Sequence, residues 1–390
     1  MNRPEIATRE PGRALARIAS LAISGALIAS CGAASSAGSK ATSGAGTTIP
    51  GASAATTFSI PAAAAAKALI VGGTGGDRTD AYLVDTATRS ILGTIGFGYS
   101  DPAAPVTMNA DASMAYLCTR DPALGDQTAV IPLDLSNFSA GKAIPLGTNT
   151  FNLGCAGIAP PSTSSLLVEV GNSLIEVSTA GAGHKVVAKL PGTQAGRMRF
   201  DGPAGTAYIP RQVGARLELL PFATSSYTLG APITLGSLAP AQMAGMVFSG
   251  AGLAWALVTR SGSITGSWMV PVRTAARSAG TPIALPSTLI PSSLAGAGDS
   301  LYLLAYPGPL QRPAIYAVQP AGSTPKELVT LPGTWAAEVK LAAGGLVVTM
   351  GTSSSSAAIG VLDPADPSGL TALSVPMAAQ AGPSSIAIPE

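Results

Sequence analysis

The residues that could do chemistry are few, and their spacing narrows what they could do. The single histidine, His184, stands in the segment AGAGHKVV. A Ser-His-Asp triad would need a nucleophile elbow, and the chain has no Gly-x-Ser-x-Gly sequence; His184 reads instead as an exposed turn residue. The glycines of GGTGG, Gly72 to Gly76, lack the Lys-Ser/Thr and the following helix of a phosphate loop, so they read as a plain loop. Asp85, Asp134 and Asp363 recur at matching places after apolar runs, where a carboxylate caps nearby backbone N–H groups. With one histidine and no Cys-x-x-Cys, no metal site and no cofactor are expected. No catalytic constellation emerges. Three cysteines remain, Cys31, Cys118 and Cys155, with a recurrent arginine at Arg78, Arg120, Arg211, Arg260 and Arg312.

What positions these residues is a repeat. The chain has 46 Gly and 32 Pro with many short apolar runs between them, which points to strands and turns. Beginning at Lys67, a phrase of four short strands recurs. First-strand markers fall at Val106, Ile158, Met198, Met246, Leu294, Val339 and Ile386, with spacings of 52, 40, 48, 48, 45 and 47 residues. Such a period belongs to the blades of a propeller. Six phrases are complete and one is split, its outer three strands at Ala68 to Ile95 and its innermost at Pro383 to Ile388. The fold expected is all-β: a seven-bladed β-propeller of four-stranded antiparallel blades, closed by the C-terminal strand pairing within Lys67 to Gly73. Stacking blades around an axis buries faces that no blade could bury alone.

The repeat gives the cysteines and arginines an address. Cys118 ends the second strand of blade 2 and Cys155 precedes the first strand of blade 3, so both fall on one rim of neighbouring blades. They are a candidate disulfide; the alternative is two buried thiols acting as small apolar residues. The five arginines follow second strands on that same rim. They form either a partner or anion surface, since guanidinium forks suit carboxylates and phosphates, or ordinary solubilising charge paired with Asp77, Asp80, Asp121 and Asp126. Trp255, Trp268 and Trp335 read as packing residues.

Ahead of the repeats lie two segments of different character. Residues 1–30 place Arg3, Arg9, Arg13 and Arg17 before an apolar run of 13 residues, Ile18 to Ser30. That is too short to span a bilayer but suits a secretory signal. Leu27-Ile28-Ala29-Ser30 followed by Cys31 resembles the bacterial lipobox. The resemblance implies that the peptide is cleaved before Cys31 and that Cys31 is lipidated, anchoring the protein to a membrane. The absence of Asp at Gly32 implies the outer membrane if the cell has two. Residues 31–66 are Ser, Gly, Ala and Thr with almost no charge, a flexible tether of roughly 30 residues reaching about 30 Å. Residues 67–390 form the propeller. The formal net charge of +2 is matched by the first 30 residues alone, so the remainder is near neutral and a nucleic-acid partner is not expected.

The segment AYLVDTATRSILGTI, Ala81 to Ile95, resembles the YVTN-type β-propeller repeat, as do PVTMNADASMAYL and PSSIAI. Members of that family include surface and periplasmic proteins, and lactonases share its seven-bladed fold. The expected function is a lipid-anchored binding or scaffold module of the cell envelope, with an envelope protein or glycan as partner. Two alternatives stand: a hydrolase of lactonase type with acidic residues at the channel mouth, and a structural surface protein. Three or more acids converging there would favour the hydrolase. The scarcity of charge in the first strands favours the scaffold.

Overall fold

The computed structural model describes residues 62–389 other than 76–77, 98–103, 122–123, 125–126, 148–153, 181–182, 237–240, 251, 261–265, 299, 310, 320–323, 352–356 and 376–382. The side chains of residues 62, 63, 73–75, 78, 120, 121, 383 and 384 are also outside the description. Residues 1–61, on which the expected signal segment, the expected lipidation of Cys31 and most of the expected tether fall, lie outside the described residues.

Runs such as Ala68-Leu69-Ile70-Val71 are apolar on both sides of a period-2 strand, so both faces of each blade need cover. The structure supplies it with seven sheets in a ring. Blade 1 orders its strands Ser90–Phe97, Arg78–Asp85, Lys67–Gly75 and Pro383–Ala387, outer to inner. Blades 2 to 7 follow in chain order, spanning residues 106–145, 155–189, 193–236, 241–284, 290–330 and 335–375. Seven hydrophobic clusters fill the seven gaps between neighbouring blades. In blade 1, Leu69 and Val71 face blade 2, while Ala68 and Ile70 face blade 7. Each such Leu, Ile or Val contributes roughly 1.5–3 kcal/mol when fully buried.

The ring closes through its ends. Pro383–Ala387 runs antiparallel to Lys67–Gly75, with Leu69 opposite Ala387 and Ile70 opposite Ile386. Pro389 then bridges to Met108 on the inner strand of blade 2. Residues ahead of Lys67 also pack against the ring. Ala62–Ala65 forms one helical turn, Ala64 and Ala66 are buried, and the Ala65 carbonyl accepts from Ala343 N–H at 2.8 Å.

Two local devices recur. In blades 2, 4 and 5 the outer strand breaks into two short pieces. Opposite each break the third strand carries a proline, Pro132, Pro221 or Pro271, which has no N–H to give the ladder. The outer strand still accepts the register because Gly141, Gly230 and Gly280 donate to those proline carbonyls at 2.7–2.8 Å. The second device lies in the turn between third and fourth strands. Arg89, Phe138, Tyr227 and Arg277 hold left-handed φ values of 53°, 49°, 52° and 50° there, and each side chain reaches the preceding blade. Arg89 donates to Gly369 O at 2.7 Å, Tyr227 donates to Glu176, Phe138 covers Gly93, and Arg277 covers Gly230.

Candidate functional site

Inner strands present alternate residues to the gap between blades and to the axis. Met198 and Val339 fill interblade cores, so the residues flanking them turn to the channel. On blade 4 these are Arg197 and Arg199; on blade 7, Glu338 and Lys340. Blades 4 and 7 stand three places apart in a ring of seven and face each other across the axis. Glu338 meets Arg197 at 3.6 Å, Arg199 at 4.0 Å and Lys340 at 3.7 Å, and accepts from the Ile386 N–H of blade 1 at 2.8 Å. Its own N–H donates to Thr349 Oγ1, and Ser293 of blade 6 bonds both the N–H and the carbonyl of Val339. Four blades therefore fix one carboxylate at the axis.

Burial alone would raise the Glu338 pKa. Lys340, Arg197, Arg199 and the Ile386 N–H more than offset it, and the group is held below its ordinary value. Three cations gather around one carboxylate at this centre. The space left beside the clamp is about 20 Å³, room for about one water molecule. The expectation of a weakly charged channel is thus corrected. Arg197, Arg199, Glu338 and Lys340 are a small fraction of the chain's charges, but the ring gathers them at its axis. The signal was present in RMRF and AEVK, where charges flank a buried marker at i and i+2.

The clamp separates two openings. On the rim of the second-to-third-strand loops lies a mouth of about 500 Å³, walled by Gln194, Gln242, Ser292 and Ser293 and floored by Arg197, Arg199 and Glu338. On the opposite rim a cleft of about 1100 Å³ runs outward over blades 4 and 5, past Asp201, Tyr208, Phe248 and Arg277.

Cys118 and Cys155 form a disulfide between blades 2 and 3, their Cα atoms 5.9 Å apart. Cys118 sits mid-strand rather than at a strand end, inside the interblade core. The arginines do not share one environment. Arg260 is exposed beside the Trp268 ring, 5.9 Å from its centroid, and Arg312 is exposed in a loop. The side chains of Arg78 and Arg120 lie outside the described residues. Arg211 is corrected: it is wholly buried within the strand Thr206–Val213, paired with Glu169 at 2.9 Å, and cannot meet a partner on the rim. Its guanidinium closes the joint between blades 3 and 4 instead. His184 is exposed at the start of an outer strand. Asp85, Asp134 and Asp363 each accept turn N–H groups at 2.9–3.0 Å. Trp255 is buried between blades 5 and 6, Trp268 packs beside the core between blades 4 and 5, and Trp335 covers Gly351. Among the described residues no group of three or more His, Cys, Asp or Glu is arranged to hold a metal ion.

Comparison with solved structures fits this geometry. The chain is a seven-bladed β-propeller. It is similar to the periplasmic gluconolactonase of Pseudomonas aeruginosa, with TM-score 0.58 and 14% identity over 82% of this chain and 98% of that one. A 6-phosphogluconolactonase described as putative, from Bacteroides fragilis, gives 0.56 and 12% over 84% and 99%. A puromycin-hydrolyzing peptidase of Mycobacterium tuberculosis gives 0.54 and 13% over 81% of this chain, which spans about half of that protein, 54%. At these identities the likeness is one of fold. No family model matches the chain, and comparison with characterised protein sequences finds no match.

Proposed function

We propose that the protein is a lipid-anchored, extracytoplasmic propeller of the YVTN type that acts as a binding module of the cell envelope, taking an acidic sugar or the acidic end of an envelope glycan at its channel mouth. The observation that carries this reading is the clamp. A general acid or base must be able to exchange its proton during turnover, whereas Glu338 is held ionised by three cations and a backbone N–H. Above it, the amides of Gln194 and Gln242 and the hydroxyls of Ser292 and Ser293 surround a floor that carries the guanidinium groups of Arg197 and Arg199. That combination suits a carboxylate with hydroxyls around it. The disulfide between Cys118 and Cys155 supports an oxidising compartment outside the cytoplasm. The lipobox at Cys31 supplies the anchor, to the outer membrane if the cell has two.

Calorimetric titration with D-glucuronate and with neutral D-glucose tests the binding. Glucuronate should bind and glucose should not, and Arg197→Gln should weaken glucuronate at least tenfold. Equal affinity for the two sugars would overturn the assignment. Turnover of a sugar lactone that is lost in Glu338→Gln would favour the hydrolase instead. Fractionation of cells carrying Cys31→Ser tests the anchor: the variant should leave the membrane fraction, and equal retention would remove the lipobox from the account.

A further inference from the structure

The cleft on the opposite rim is built differently from the channel mouth. Its floor is an aromatic pair, Tyr208 and Phe248, with ring centroids 5.6 Å apart. Asp201, at the end of the inner strand of blade 4, stands on one side and is half-buried. It accepts the Ala204 N–H at 3.4 Å, and among the described residues no cation lies within ion-pair distance of its carboxylate. Arg277, in the left-handed turn position of blade 5, stands on the other side, lying over Gly230. Among the described residues no carboxylate pairs with its guanidinium. Tyr208, between them, feels both charges. An acid and a base share one cleft, on neighbouring blades, without neutralising each other.

Asp201 bears a cost, because its half-buried carboxylate has only solvent as counter-charge, while Arg277 presents an exposed guanidinium. A ligand carrying both charges would supply the counter-charge that Asp201 lacks and meet an accessible guanidinium fork at Arg277. The aromatic floor between them would take an apolar side chain, and a volume of about 1100 Å³ exceeds what one amino acid fills. Gly250 and Gly252 edge the cleft without side chains, which keeps that edge open.

We propose that this cleft is a second binding site, for a short peptide with free ends: its ammonium group pairs with Asp201, its carboxylate with the Arg277 fork, and an apolar side chain lies on Tyr208 and Phe248. The site lies on the far side of the Glu338 clamp and is independent of the channel mouth.

The test uses the full chain and three forms of one dipeptide, Leu-Phe, measured by calorimetry: free, N-acetylated and C-amidated. The free form should bind, and each capped form should bind at least tenfold more weakly. Asp201→Asn should erase the penalty of acetylation and Arg277→Gln the penalty of amidation, both with unchanged circular dichroism. Arg197→Gln, at the other opening, should leave all three affinities unaltered. Equal affinity for the three forms would reduce the cleft to an apolar surface and overturn the proposal, as would failure of the free form to bind folded protein.

Discussion

A guanidinium carries five N–H donors, and burying one is tolerable only when they find acceptors. Arg211 meets that demand through Glu169, Asn172 and the carbonyls of Pro191, Gly171 and Gly192. Glu169 is served less well. Its Oε1 pairs with Arg211, but Oε2 is buried without a hydrogen-bond partner. Burial pushes its pKa up to about 7 although Arg211 pulls the other way. Between about 4.5 and 7 the folded protein therefore holds a proton that the unfolded chain releases. Stability should fall as pH rises through that window, by at most about 1.4 kcal/mol per unit. Glu338 has the opposite sign, its depressed pKa costing stability as pH falls below the ordinary glutamate range. Urea unfolding at several pH values should show a shallower decline from pH 4.5 to 7 in Glu169→Gln than in the parent. Parallel slopes would mean that Glu169 is ionised throughout. At this scale the sequence was least legible. Arg211 and Arg260 occupy matching places near second-strand ends, yet one is core and the other is exposed. The difference lies in which carboxylate and carbonyls the neighbouring blade brings, and those are distant in sequence.

Strands, turns and their order could be read from the chain because each rests on local chemistry: apolar alternation, capping aspartates, glycine and proline. The interblade turn residues could not. A left-handed φ at Arg89, Phe138, Tyr227 or Arg277 costs about 1–2 kcal/mol, so something must offset it, and the offset lies on another blade. Gly93 shows how: a Cβ there would stand 2.1 Å from the Phe138 ring. The small residue on one outer strand and the large turn residue on the next blade are one joint in two pieces. Gly93→Val should then destabilise by about 1–2 kcal/mol, since the half-exposed ring can swing aside. In a Phe138→Ala background the same change should cost far less. A double-mutant cycle by thermal unfolding reads the coupling. Additive effects would separate the two residues. The sequence carries one trace of this joint. SNFS, SSYT and AARS stand at one offset after Pro132, Pro221 and Pro271, aligning a turn residue whose purpose only the ring reveals.

For the whole molecule, seven interblade cores can exist only if blade 1 is complete, because it contributes to two of them. Its inner strand comes from the far end of the chain. Ile386 and Ala387 are buried, Ile386 in the core with blade 7 and Ala387 in the core with blade 2. The Ile386 N–H also holds Glu338, so closure and the channel clamp share a residue. Deleting Pro383 to Glu390 would therefore expose one edge of Lys67–Gly75, open apolar surface on both flanks of blade 1, and remove a partner from the buried carboxylate. Several kcal/mol should be lost, and the melting temperature should drop by on the order of 10 °C. The exposed strand edge should promote association as well. Removing the chain up to residue 61 should change the melting temperature little, whereas removing it through Ala66 should lower it, because Ala65 and Ala66 accept hydrogen bonds from Ala343 and Thr86. Differential scanning calorimetry of the three truncations orders these contributions. A C-terminal truncation as stable as the parent would show that blade 1 can close without its last strand, and the clamp would then have to be held by blades 4 and 7 alone.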